Sequence, residues 1–308
     1  MPDYDFLRGC GVALVTPFDA AGALDEAALR GLVDHVVDGG IDFIVALGTT
    51  GEAVSQSREE CTRVLRVIHD HAAGRVPLVA GPFGGNGTAA LAERFAAYAE
   101  VLALPGYRAV MSSVPSYVRP NQEGIYRHFL RVAEASPLPV LLYNVPSRTG
   151  THAEATTVLR LAEASDAFCG VKEASGNLVE AMRLLRGRPD HFRVLSGDDT
   201  TALPFIACGG HGVVSVVANA YPQAFGDMAR AALAGKLARA RRLNADFLDL
   251  HHLLYADGNP GGIKAVLAQL DLCGDTLRLP LAPIGAATRA ALTREVLRVR
   301  AALAPGIA

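Results

Sequence analysis

Phe168-Cys169-Gly170-Val171-Lys172-Glu173-Ala174-Ser175-Gly176 is a short run with a charge pair near its end and a Ser-Gly turn after it. Runs of this kind read as buried strands bounded by turn signals. A lysine at the end of a buried strand is costly unless it is paired or reacts. Apolar surroundings disfavour the ammonium and favour the neutral amine. A neutral amine attacks carbonyls and forms a Schiff base. Taken alone, the stretch also allows a salt bridge from Lys172 to Glu173 or another acid.

The same rhythm extends in both directions. Strands are expected at 12–18, 43–47, 77–80, 108–113, 139–144, 169–173, 192–196 and 212–217. Helices are expected between and after them, at 25–38, 58–73, 88–102, 123–135, 153–164, 178–186, 200–208 and 222–233. Alternation of this kind means parallel pairing through right-handed crossovers. Eight units match a closed (β/α)8 barrel, the TIM-barrel architecture. A doubly wound open sheet is the competing arrangement. It would place a Gly-rich fingerprint after the first strand, where Val15-Thr16-Pro17-Phe18 stands instead. The barrel is expected over 1–235, and a C-terminal helical extension with Pro/Gly breaks over 236–308.

Composition narrows the class. Of 308 residues, half are hydrophobic and 19% are charged, enough for one large α/β domain with an appendage. A net charge of −2 implies neither nucleic acid nor an anionic membrane as partner. Cysteines stand singly at 10, 61, 169, 208 and 273, a pattern of reduced core thiols in a cytoplasmic protein, with neither disulfide framework nor zinc site. No run of ~18 apolar residues suggests a membrane span.

In such barrels the chemistry lies at the C-terminal ends of the strands. That rule selects Thr49 and Thr50 after strand two, Tyr117 after strand four, Tyr143 and Arg148 at and after strand five, and Lys172 on strand six. It adds Gly197 to Asp199 after strand seven and Val214 on strand eight. Gly48-Thr49-Thr50-Gly51-Glu52 leads toward a helix, whose N–H groups and two hydroxyls suit a carboxylate; simple threonine capping is the plainer role. Tyr143 reads equally as a core tyrosine. Arg148 reads as a surface ion pair or as a bidentate grip on a carboxylate. Asp198 and Asp199 read as helix caps. His69, His71, His251 and His252 read as surface or core histidines without a third ligand. No metal is expected.

Together these residues resemble the dihydrodipicolinate synthase family of class I, Schiff-base aldolases. The resemblance runs from Val15-Thr16-Pro17-Phe18 to 277–284. It passes through Gly48-Thr-Thr-Gly-Glu52, Tyr143-Asn-Val-Pro-Ser-Arg-Thr-Gly150, Gly170-Val-Lys-Glu-Ala-Ser-Gly-Asn177, Ser196-Gly-Asp-Asp199 and Gly209-Gly-His-Gly-Val-Val-Ser-Val216. It implies a barrel with a C-terminal helical domain, a homotetramer, and no cofactor. It also implies that Lys172 forms an imine with pyruvate and that Thr49 and Thr50 hold the pyruvate carboxylate. Tyr143 would relay protons, Thr49 and a Tyr117 from a neighbouring subunit would link it to solvent, and Gly197 and the Val214 backbone would line the site. Arg148 would bind the carboxylate of aspartate semialdehyde.

Three departures stand out. Ser116 precedes Tyr117 where many members carry a second tyrosine, 257–262 lacks a second proline, and the segment between Asn86 and Pro115 is longer than usual. With Ala90 four residues after Asn86 where lysine-sensitive members have Glu, weak or absent inhibition by lysine is expected. Two other functions stay open at this stage: a Schiff-base aldolase for sugar acids or hydroxy-oxo acids, and a non-catalytic pyruvate-binding paralogue.

Overall fold

In the computed structural model, which describes residues 2–81 and 83–304, eight parallel strands close into a barrel in sequence order. They are β1 (Gly9–Ala13), β2 (Phe43–Ala46), β3 (Leu78–Ala80), β4 (Tyr107–Ser113), β5 (Val140–Asn144), β6 (Phe168–Glu173), β7 (Arg193–Ser196) and β8 (Gly212–Ser215). β1 pairs with β8 to complete the ring. The strands are almost wholly buried, as expected for a parallel sheet covered by helices.

Alternation along each strand divides the core into two layers. Phe43, Val45, Ala109, Met111, Leu141, Leu195 and Val214 face inward, and Tyr4 and Leu7 join that cluster. Ile44, Ala46, Val110, Leu142, Val194 and Val213 face outward into the larger layer beneath the helices. Four of the helices begin at a side-chain acceptor. Asp25, Asn121 and Asn177 accept N–H bonds from the first turns of their helices, and Ser57 with Glu60 forms a reciprocal capping box.

Two expected elements differ. The helix expected over 88–102 is interrupted at Tyr98 and forms Thr88–Ala97 and Ala99–Leu102. Tyr98 is buried against Phe83, and seating that ring takes precedence over helical continuity. The first strand starts earlier than expected, at Gly9, and Leu14–Phe18 continues past its end as buried non-strand chain.

After the helix Pro222–Leu233 come the helices Leu237–Ala245, Leu248–Tyr255, Gly261–Gln269 and Ala286–Leu303. The middle two bring polar residues back to the C-terminal ends of the strands. No described helix is long and apolar enough to cross a membrane.

Candidate active site

Lys172 owes its direction to a bulge. β5 and β6 pair Val140 with Phe168 but Leu141 with Gly170, so Cys169 is an extra residue in the ladder. Cys169 already faces the barrel interior, and strict alternation would turn Lys172 outward. The extra residue shifts the phase so that Lys172 pairs across from Tyr143 and shares its face. Gly170 permits the tight packing, because a Cβ there would lie 2.3 Å from the Arg193 carbonyl oxygen. Lys172 is 6% exposed, and its Nζ lies 4.4 Å from the centre of the Tyr143 ring.

Glu173 is not its partner. The Glu173 carboxylate accepts from Asn144 Nδ2 at 2.7 Å and from the Ser175 N–H at 2.7 Å. Burial pushes its carboxyl up, against the opposing pull of these donors. Asn144 and Glu173 are themselves a register pair, so this bond ties the two strands one residue beyond Tyr143 and Lys172.

The threonine turn differs from the expected loop-to-helix anion site. Its Gly51 and Glu52 N–H groups are spent on Gly48 and Thr49 carbonyls, and a single 3₁₀ turn, Ala53–Ser55, follows. The α-helix begins only at Arg58, behind its own serine cap. The turn is held from behind instead. Thr16 Oγ1 and Gln56 Nε2 both donate to the Gly51 carbonyl at 2.7 Å. Glu52 sits in left-handed backbone, φ +53°, with its carboxylate bound to the fully buried Lys264 ammonium. Lys264 also donates to the Thr276 carbonyl at 2.9 Å. Asn259 Nδ2 donates to Thr50 Oγ1 at 3.0 Å, which leaves the Thr50 hydroxyl hydrogen available to another acceptor.

A cavity of about 490 Å³ opens above Lys172, within the usual size range of small-molecule sites. Thr49, Thr50, Tyr143, Arg148 and Gly197 line it with Lys172. Arg148 is carried by a short helical turn, Pro146–Thr149, that opens on proline and ends at left-handed Gly150. Among the described residues, the Lys172 amine, the Tyr143 hydroxyl and the Arg148 guanidinium make no hydrogen bond or ion pair. Gly197 must lack a side chain: a Cβ would lie 2.6 Å from Ala174 Cβ and 3.0 Å from Lys172 Cγ.

Val214 sits among the inward-facing core residues, and Val216, two positions on, lines the cavity. Asp198 does not cap the helix Ala202–Ala207, whose N-cap position is Thr201 and has no side-chain cap bond; it accepts instead from the Thr200 N–H and the Thr201 hydroxyl in the turn before it. Asp199 does something else. Its Oδ2 accepts from the Val216 and Val217 N–H groups at 2.8 and 2.9 Å, fixing the chain after β8. Buried His251 lies within electrostatic reach; burial pushes Asp199 up and His251 down. His251, His252, Tyr255 and Asn259 all reach the cavity, and sequence reasoning had assigned none of them to it. The Asn259-Pro260 pair, a turn signal where a chain re-enters the core, is the one local cue.

Tyr117 does not line this cavity. It is 86% exposed, with φ +66° and its N–H bonded to the Thr149 carbonyl at 3.2 Å. Left-handed backbone is unfavourable for a side chain of this size. A second cavity of about 950 Å³ adjoins the first along Thr49, Tyr143 and Arg148. Arg58, Ala90, Glu93, Arg94 and Ser116 line it, and Ser116 Oγ donates to Asn86 Oδ1 at 2.5 Å.

Comparison with known proteins agrees with this geometry. The profile of the dihydrodipicolinate synthetase family matches residues 6–298. A 4-hydroxy-tetrahydrodipicolinate synthase from Acidobacterium capsulatum is 45% identical over 288 residues, covering 94% of each chain. The structure of the corresponding synthase of Methylacidiphilum fumariolicum SolV superposes with a TM-score of 0.92 at 36% identity, covering 97% of each chain. A chloride-inhibited dihydrodipicolinate synthase from Acinetobacter baumannii, complexed with pyruvate, gives a TM-score of 0.90 at 36% identity over 95% of this chain and 99% of that one.

Proposed function

The chain belongs to the dihydrodipicolinate synthetase family, and from that premise we propose that it condenses pyruvate with aspartate semialdehyde to 4-hydroxy-tetrahydrodipicolinate. One observation carries the chemistry: a nearly buried amine at the cavity floor, over a tyrosine ring, with a guanidinium nearby, neither of them paired among the described residues.

The Lys172 amine attacks the pyruvate carbonyl, water leaves, and an iminium forms. Thr49 and Thr50 receive the pyruvate carboxylate, with Asn259 turning the Thr50 hydroxyl toward it. The iminium draws electrons from the methyl group, which becomes an enamine as its proton passes to Tyr143 and the Tyr143 hydroxyl proton passes on through Thr49 and a neighbour's Tyr117 toward solvent. The enamine carbon attacks the aldehyde. The amine of the resulting adduct then attacks the iminium carbon, Lys172 departs with its nitrogen, and the ring closes. Gly197 and the chain around Val214 and Val216 form the wall. Residues 1–235 act as the catalytic barrel, and 236–308 as a helical extension that braces its mouth.

Arg148 selects the second substrate. Coupled assays should show pyruvate consumption with aspartate semialdehyde, and no pyruvate release from sugar acids. Arg148→Ala should raise KM for the semialdehyde by roughly 10–150-fold, the worth of a lost charged hydrogen bond, and leave KM for pyruvate near its original value. Equal effects on both substrates would mean that Arg148 only braces the loop.

The chain works in the cytoplasm as a homotetramer, in which Tyr117 reaches a neighbour's site. Two separate apolar surfaces support this: Tyr117 with Val118 beside the mouth, and Val179 with Met182 on the helix Leu178–Gly187. Two self-complementary patches are what a dihedral tetramer needs, and sedimentation of the purified chain reads the outcome.

Lysine should inhibit weakly. The larger cavity offers one carboxylate, Glu93, against three guanidinium groups, Arg58, Arg94 and Arg148, and a lysine carries two ammonium groups. Burying an ammonium without a partner costs several kcal/mol. Initial rates at fixed pyruvate should change little up to millimolar lysine; half-inhibition at micromolar lysine would refute this.

A further inference from the structure

We propose that Tyr255 is a second specificity residue, whose phenol O–H donates to the same substrate carboxylate that Arg148 grips. The inference rests on the function proposed above. Tyr255 ends the helix Leu248–Tyr255 and lines the cavity over Lys172. It is 36% exposed, and its hydroxyl lies within electrostatic reach of Asp199, Tyr143, Asp198 and Arg148. Burial first, and Asp199 next, push this phenol well above its usual range, so it remains a donor. Among the described residues it donates to nothing.

The neighbouring acceptors are engaged or turned away. Both Asp198 oxygens accept from Thr200 and Thr201, and Asp199 Oδ2 accepts two backbone N–H groups. Asp199 Oδ1 is buried and bonded to no described group, Tyr255 included. An incoming carboxylate offers about four lone-pair sites, of which an arginine fork fills two. A phenol can fill a third.

Asp198 lines the same cavity and explains why one donor group is insufficient. It repels an anion entering this side of the mouth, so Arg148 works against it. The same aspartate attracts an ammonium. A short amino-acid aldehyde satisfies both, with its carboxylate toward Arg148 and Tyr255 and its ammonium toward Asp198. An uncharged aldehyde satisfies neither.

Tyr255→Phe removes the hydroxyl and keeps the ring. Its steady-state rates are to be measured with aspartate semialdehyde varied at saturating pyruvate, and then the reverse. KM for the semialdehyde should rise roughly tenfold, as for a lost hydrogen bond to a charged group. KM for pyruvate and the thermal unfolding midpoint should stay unchanged. An unaltered semialdehyde KM, an equal rise in both KM values, or a fall in kcat alone would each overturn the assignment. Wild-type enzyme run in parallel separates the two levels: if it fails to turn over the semialdehyde, the proposed function falls and this inference with it. If it succeeds and Tyr255→Phe matches it, only the inference falls.

Discussion

Lys172→Ala should lose kcat/KM on the order of 10⁴-fold or more, the scale seen when the nucleophile leaves a set of groups that act as a unit. It should remain folded, with stability changed by no more than about 1 kcal/mol. The reason is local. Lys172 makes no hydrogen bond or ion pair among the described residues, so its loss strands no buried partner. Lys172→Arg separates charge from chemistry. It keeps a cation over the Tyr143 ring but offers no amine to a carbonyl, and it should be as inactive as the alanine variant. Substantial activity in Lys172→Arg would assign the residue an electrostatic role instead of a covalent one.

Lys264→Met should destabilise the protein by about 3–5 kcal/mol, the cost of leaving one member of a buried ion pair without the other. Lys264 and Glu52 are both fully buried, and Lys264 Nζ also lies 4.3 Å over the Phe18 ring. Methionine keeps most of the volume and removes the charge. The Glu52 carboxylate then has the Arg278 N–H at 3.2 Å but no cation. Denaturant unfolding should report the loss, and KM for pyruvate should rise, because Glu52 ends the turn that presents Thr49 and Thr50. Glu52→Gln combined with Lys264→Met removes both charges and should recover part of the stability. A double variant as unstable as the single would show that the loss comes from packing and not from the stranded carboxylate.

The barrel was legible because each strand is a short apolar run between turn signals, and a parallel sheet buried on both faces needs such runs. The placement of Tyr143, Lys172 and the two threonines followed from the rule that barrels work at strand ends. What escaped the sequence is long-range or depends on register. Nothing near Cys169 announces a bulge, yet the bulge turns Lys172 inward. The Glu52–Lys264 pair joins residues 212 positions apart, and Asn259 reaches Thr50 across 209. Tyr255 and the histidines beside it look like an ordinary helix until that helix folds over the mouth. The turn carrying Arg148 was readable in principle, since a proline at its first position and a glycine after its last are helix punctuation.

The proposed reaction depends on a covalent bond between Lys172 and pyruvate. The direct measurement is borohydride reduction of the protein with pyruvate, followed by mass analysis of the intact chain and its peptides. One reduced pyruvyl group per chain should appear, on the peptide that contains Lys172, and none in Lys172→Ala. An adduct on Lys236 or Lys264, or no adduct in the wild-type protein, would contradict it.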